Sequence, residues 1–190
     1  GARFASYSVY PTGILVDPVT GRRVVNEWAD RRRRSEAMLK SGHACVGITD
    51  DQGAENDRES LEYGLKRQII RSFSSLTGLG QAYSMPEGAL ERTVEEYNCA
   101  ISKGMPDPFG KPLGEGARPL DAPPFHAIRL RPKIHYTPGG VGINAQAQVL
   151  DLHGRPIPNF FAAGEVCGGV HGASRLGCAA LIGCLVFGRI

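Results

Sequence analysis

No two cysteines stand at C-x-x-C spacing, and none has a histidine nearby at zinc-finger spacing, so the sequence offers no metal site. The five that exist, Cys45, Cys99, Cys167, Cys178 and Cys184, are odd in number; reduced, mostly buried thiols are the expectation. A run of roughly eighteen apolar residues is also lacking, as is a basic start followed by a short apolar stretch, which excludes a membrane span and a signal peptide within these residues. Charge of one sign is scarce: the formal net charge is +3, and acids lie close to the arginines of DRRRRSEAMLK, so no nucleic-acid footprint is indicated. Repeats and low-complexity tracts are absent. A hydrophobic content of 42% in 190 residues is enough for a real core in one or two modest domains.

What is present reads as mixed α and β. GILVD (Gly13 to Asp17), PVTG and RRVVNE predict a β-hairpin. Asp30 is placed to cap a helix running to about Lys40, with Ala37, Met38 and Leu39 apolar and Gly42 past its end. HACVGITD predicts a buried strand. Leu61, Leu65, Ile69 and Phe73 fall at helical steps and predict one amphipathic helix over Asp57 to Phe73. In SMPEGALERTVEEYNCAISKG, Ser84 is the predicted cap, Pro86 sits early and Glu87 completes a capping box. Leu90, Val94, Tyr97 and Ile101 form its apolar stripe. Pro106 to Pro124, rich in Pro and Gly, reads as a connecting loop and the main boundary. Beyond it, FHAIRLRPKIHYT and VGINAQAQVL predict strands joined at PGG, FFAAGE predicts a short buried strand, and an apolar helix follows GGVHGAS.

Gly140-Val-Gly142-Ile-Asn-Ala145 loosely fits G-x-G-x-x-A, but a strand pattern follows it where a dinucleotide loop needs a helix. Arg32 to Arg34 read as a solvated helix face, His135 by itself as a structural histidine on a strand, and His171 stays open between structure and function. AAGEVCGGVHGASRLG is different in kind. Glycines 164, 168, 169, 172 and 177 let backbone approach something flat or bulky, and the next helix offers unpaired N–H groups and the positive end of its dipole. Together they predict an anion or cofactor seat.

The segment IHYTPGGVGINAQAQVLDLHGRPIPNFFAAGEVCGGVHGASRLGCAALIGCLVFGRI resembles the flavoprotein subunit family of fumarate reductase and succinate dehydrogenase. The likeness is greatest to its soluble single-chain branch, which includes urocanate reductase. It is similar to the family's His-His-Thr-Met-Gly-Gly, Ala-Ala-Gly-Glu-Val-Thr-Gly-Gly-Val-His-Gly and Arg-Leu-Gly-Gly-Asn-Ala segments and covers residues 134 to 190. Upstream, GILVDPVTGRRVVNEWADR is similar to the family's Gly-Lys-Arg-Phe-Val-Asn-Glu stretch, and TVEEYN fits a helix of its cap domain. The middle, about residues 43 to 83, agrees only in outline.

The resemblance implies an α+β chain: a capping domain over residues 1 to 121, and in 122 to 190 the C-terminal strands and helix of a split, Rossmann-like FAD-binding domain. The N-terminal half of that domain, with the glycine fingerprint that chiefly holds FAD, is expected to lie in the rest of a longer protein, so the fragment is not expected to retain FAD. The implied reaction reduces, or forms, an activated C=C bond in a small unsaturated carboxylic acid. Hydride leaves flavin N5, Arg31 delivers the proton, and Arg175 and His135 hold the substrate carboxylate. Tyr136, Gly164, Glu165, Gly177, Cys178, Ala180 and Leu181 are implied to line the cofactor, with Glu165 on its ribityl hydroxyls. The electron donor lies outside what the segment implies. The terminal helix, apolar all round, is expected to self-associate or pack on another copy unless its partner sheet covers it.

Departures from the family are local. Counting back from Gly13, Ala5, Ser6 and Val9 stand where fumarate-reducing members carry Thr, Glu and Arg, which removes the proton relay and one dicarboxylate contact. Pro138 stands for Met, Tyr136 for the second His, Cys178 for Gly and Ala179 for Asn. An unsaturated acid other than fumarate is the resulting expectation. The rival reading is a catalytically silent remnant or interaction module that keeps the flavin-seat scaffold. A flavin ketosteroid dehydrogenase is disfavoured by the spelling GEVCGGVHGASRLG.

Overall fold

Residues 2–12, for which the sequence predicts no element, wind into a helical run in the computed structural model, which describes residues 2–113 and 117–190. The run comprises Ala2–Phe4, a π-helical turn Ala5–Val9 and Tyr10–Thr12. It buries Phe4, Ala5 and Val9 and ends where Gly13 N–H returns to Val9 O at 2.8 Å. Gly13 is obligatory there, since an added Cβ would lie 2.0 Å from Ile48 O.

The predicted hairpin forms: β1 (Ile14–Asp17) pairs antiparallel with β2 (Arg22–Arg23), closed by Gly21 at φ +67°. Helix Arg31–Lys40 begins where the sequence places it, because Asp30 accepts from the N–H groups of Arg32 at 2.8 Å and Arg33 at 3.1 Å. The predicted strand is β3 (Cys45–Asp50), buried throughout.

Asp57 to Phe73 is not one helix. Helix Arg58–Lys66 stops, Gln68 takes a left-handed conformation at φ +57°, and Ile69 N–H reaches back to Gly64 O at 2.9 Å. Ile70–Phe73 then becomes β4. Phe73 fits the helical spacing, but its cross-strand partner Phe125 claims it, as Ile128 claims Ile70. Helix Leu76–Ala82, capped by Ser75, has no counterpart in the sequence expectations. The next helix runs Ala89–Ser102, and the Ser84 capping box does not form: Gly88 is the cap at φ +67°. Docking on the hairpin turn fixes that start, with Thr93 Oγ1 donating to Gly21 O at 2.7 Å. Of the predicted loop 106 to 124, residues 114–116 lie outside the described residues.

Strand β5 (Phe125–Leu130) completes an antiparallel sheet of order β2-β1-β3-β5-β4. One sheet face packs Val16, Ile48 and Ala127 against Leu79, Leu90, Val94 and Tyr97 of the two helices after β4. The other packs Ile70 and Ile128 against Phe4, Val9 and Leu61. Buried His126 sits between Ser72 Oγ at 2.8 Å and Asp51 Oδ1 at 3.2 Å. Burial pushes its imidazole below the usual range, with Asp51 opposing in part.

The chain divides into two compact units, the first ending at Pro132 and the second beginning at Lys133. The predicted boundary near residue 121 falls earlier than this division, because β5 is paired with β3 from Cys45–Leu130 to Asp50–Phe125 and belongs to the first sheet. His135 is likewise not on a strand: residues 131–140 carry no regular element. In the second unit β6 (Gln148–Leu150) and β7 (Pro156–Phe161) form an antiparallel pair. Their turn is held by Asp151, which accepts from the N–H groups of His153 at 2.8 Å and Arg155 at 2.9 Å. β7 includes the predicted Phe160-Phe161 strand, but that strand is exposed rather than buried. The terminal helix is Ala179–Phe187. All five cysteines are free, yet only Cys45 and Cys167 are buried, so "mostly buried" does not hold.

Candidate functional site

Backbone crossing builds the second unit. Gly140 and Gly168 pass so closely that a Cβ on Gly140 would lie 2.0 Å from Val166 O. Val141 N–H donates to Val166 O and Gly168 N–H to Val141 O, both at 2.9 Å. The loose G-x-G-x-x-A stretch is therefore a structural crossing, followed by a turn and β6 rather than a helix.

In the same unit the structure brings Arg175, Tyr136 and His171 together. Arg175 is 8% exposed, with its guanidinium carbon 4.5 Å from the centre of the Tyr136 ring. Its Nη1 donates to Leu176 O at 2.6 Å, while Nε is buried with no partner among the described residues. A buried guanidinium N–H without an acceptor is costly, which leaves Nε with an unused donor. Tyr136 also meets His171 edge-on, ring centres 5.9 Å apart, so His171 belongs to the same cluster. Glu165 Oε1 accepts from Thr137 N–H at 2.8 Å, which ties the loop after β7 to the segment bearing Tyr136. His135 is exposed.

Gly177, Cys178, Ala180 and Leu181 open the terminal helix. Cys178 is its cap in a left-handed conformation at φ +64°, where the family's Gly is the easier residue. Leu181 N–H turns back to Cys178 O at 3.2 Å. Gly164, at φ +84°, lies so close that a Cβ would come within 2.9 Å of Cys184 Sγ. No Cβ contact within 4 Å exists at Gly139, Gly169 or Gly172, so these loop glycines border open space. Leu181, Ile182, Leu185 and Val186 are each more than half exposed, a continuous apolar surface on a short helix.

Arg31 lies in the first unit, exposed, as the first residue of helix Arg31–Lys40. One turn on, Arg34 lies over the Tyr10 ring at 4.0 Å and donates from Nη1 to Glu27 O at 3.1 Å. Burial pushes Arg34 below, and Tyr10 above, its usual range. Arg34 therefore leaves the solvated face assigned to it by sequence. Behind it lies a charge cluster that no motif announces: Glu27, Arg23, Asp107 and Lys111. Glu27 Oε1 accepts from Leu15 N–H at 2.9 Å and Arg23 Nε at 3.1 Å, Oε2 from Arg23 Nη2 at 2.7 Å, and Lys111 Nζ is 3.5 Å away. Arg23 also pairs with Asp107. Burial pushes Tyr97 above this cluster up to about 12, and lowers Lys111. The only signal in the sequence was the arrangement of these acids and bases in and beside apolar runs.

Among known proteins, residues 8–181 match the family described as FAD binding domain. Over 97% of its length the chain is 36% identical to the acrylate reductase flavoprotein subunit of Shewanella woodyi, covering 38% of that protein. It is 31% identical over its full length to a fumarate reductase (cytochrome) of Shewanella frigidimarina, covering 33% of it. A solved open conformation of a flavocytochrome c3 fumarate reductase superposes with TM-score 0.68 at 33% identity, matching 100% of this chain and 32% of that one. The chain thus spans about a third of the length of these relatives.

Proposed function

Because this chain belongs to the FAD binding domain family, we propose that it is the capping domain and C-terminal cofactor segment of a flavoprotein that reduces, or forms, an activated double bond in a small unsaturated carboxylic acid. Arg175 carries this proposal: a buried guanidinium with an unpartnered Nε, backed by an aromatic ring, at the mouth of a glycine-rich apolar helix. Relatives named for fumarate and acrylate reduction support the substrate class.

The residues present fit one edge of FAD. Open space beside Gly169 and Gly172 and the positive end of helix Ala179–Phe187 would accept a flat ring that becomes negative on reduction. Tyr136, Gly164, Glu165, Gly177, Cys178, Ala180 and Leu181 would hold it. When bound, FAD supplies the hydride. The chain's own residues do the rest. Arg175 and His135 would grip the substrate carboxylate, the guanidinium through its fork. Arg31 would hold the proton destined for the carbon next to that carboxylate. An arginine acid, with a free pKa above about 12, works only when proton transfer is coupled to charge building on the substrate.

Two results test this. In the full-length protein Arg31→Lys should keep its FAD content and slow reduction, and equal turnover would assign the proton to another acid. The 190-residue chain purified alone should be colourless before FAD is added; a retained flavin spectrum would instead give these residues a complete cofactor site. The apolar surface of the terminal helix would meet the rest of the FAD-binding domain in the longer protein, and in the isolated chain it would drive self-association. A silent remnant keeping the same scaffold would bind FAD in the longer protein and turn over no unsaturated acid.

A further inference from the structure

His171 has no role in the reaction proposed above, yet the structure makes it a joint between two segments of the second unit. Gly169 and Gly172 near it take left-handed conformations at φ +83° and +60°, and Gly172 N–H turns back to Gly169 O at 3.4 Å. The imidazole lies against the terminal helix: a Cβ added to Gly183 would come within 3.3 Å of His171 Nε2 and 3.6 Å of Cε1. A glycine inside a nine-residue helix costs stability relative to alanine, and here its missing side chain is the room that the ring fills. The same ring meets Tyr136 edge-on, at an interplanar angle of 70°.

Tyr136 lies within residues 131–140, which carry no regular element, so no helix or strand ladder fixes its ring. That ring carries the Arg175 guanidinium on its face. Arg175 Nη1 also donates to Leu176 O, but Leu176 is the next residue and moves with it, so Tyr136 supplies a restraint from another part of the chain. From this line of contacts, and resting on the reductase function proposed above, we infer that His171 is a positioning residue. Wedged against Gly183, it sets the Tyr136 ring, and through that ring the direction in which Arg175 offers its fork to the substrate carboxylate. The helix proposed to face the cofactor thereby also sets the anchor of the substrate. In this role His171 exchanges no proton with the substrate.

The test uses the full-length, FAD-loaded protein with a chemical reductant, acrylate or fumarate as acceptor, whichever is reduced faster, and propanoate as a carboxylate ligand of the oxidised form. His171→Ala is expected to raise KM and to weaken propanoate binding, each about fivefold, the scale of one edge-on ring contact, with kcat within about twofold and FAD content unchanged. His171→Phe, which keeps a ring, should recover most of the loss. Gly183→Ala favours the helix yet pushes on the imidazole, so it should raise KM about threefold without lowering Tm. In an Arg175→Ala background, His171→Ala should change kcat/KM by less than about twofold, because the anchor it positions is gone. Unchanged KM and propanoate binding in His171→Ala would overturn the inference, as would equal losses with and without Arg175. A fall in kcat alone, or loss of FAD, would overturn it by moving His171 into the chemistry or the cofactor seat. Failure of the FAD-loaded wild type to reduce either acceptor would overturn the reductase function, and this inference with it.

Discussion

Arg175→Ala in the full-length protein is expected to lower kcat/KM by roughly two orders of magnitude, about 3 kcal/mol of transition-state stabilisation, as for loss of a buried charged anchor. The size follows from what the side chain does in the structure. It is 8% exposed, it rests on the Tyr136 ring, and its Nε has no protein acceptor, so an incoming carboxylate would meet a donor already stripped of water. Arg175→Lys should recover only part of the loss, because an ammonium keeps the charge but neither the fork nor the flat face against Tyr136. Steady-state turnover, with FAD content measured alongside, checks both variants. Unchanged kcat/KM in Arg175→Ala with full FAD content would remove Arg175 from the substrate site.

Glu27→Ala should destabilise the first unit by about 4 kcal/mol, lowering Tm by on the order of 10 °C. Glu27 is fully buried, and with Asp107 it balances Arg23 and Lys111, whose side chains are 5% and 1% exposed. Removing it leaves two buried cations against one carboxylate and strips the Leu15 N–H at the centre of β1 of its acceptor. Breaking such a cluster costs more than forming it returns, since the remaining charges stay buried without compensation. Glu27→Gln keeps an acceptor for Leu15 and should lose less. Thermal unfolding of the full-length protein followed by calorimetry separates the two, and equal melting of wild type and Glu27→Ala would show the cluster to be dispensable.

Local signals in the sequence were reliable where one residue governs the outcome. Asp30 caps its helix through its own carboxylate, and the hairpin turns on Gly21, both neighbours of what they control. Partners distant in sequence defeated the same logic. Phe73 keeps helical spacing with Leu61, Leu65 and Ile69, but β5, more than fifty residues later, draws it into a sheet. Ser84 has the chemistry of a cap, yet the helix start is set by contact with the hairpin turn, which no local pattern records. The candidate site divides in the same way. The glycine-rich stretch and Arg175 stood out by composition and family likeness, and the structure adds Tyr136 and His171 as their neighbours. Tyr10 and Arg34 meet only through a tertiary contact, so the sequence showed an arginine run and an unrelated aromatic. Arg31, His135 and the cofactor assignments still rest on resemblance and on the experiments above.

The margins of the five-stranded sheet bear on how a preparation of this chain would behave at high concentration. An open antiparallel sheet presents unpaired backbone at both borders, an invitation to strand-by-strand polymerisation. Here one border is β2, two residues long and both arginine, and the other is β4, which bears exposed Arg71 and Ser72. Short length at one side and charge at both act as gatekeepers against fibre growth, whereas the greasy terminal helix has no such guard. Clumping of the isolated chain would then be helix-mediated and amorphous, and responsive to mild detergent, rather than amyloid-like.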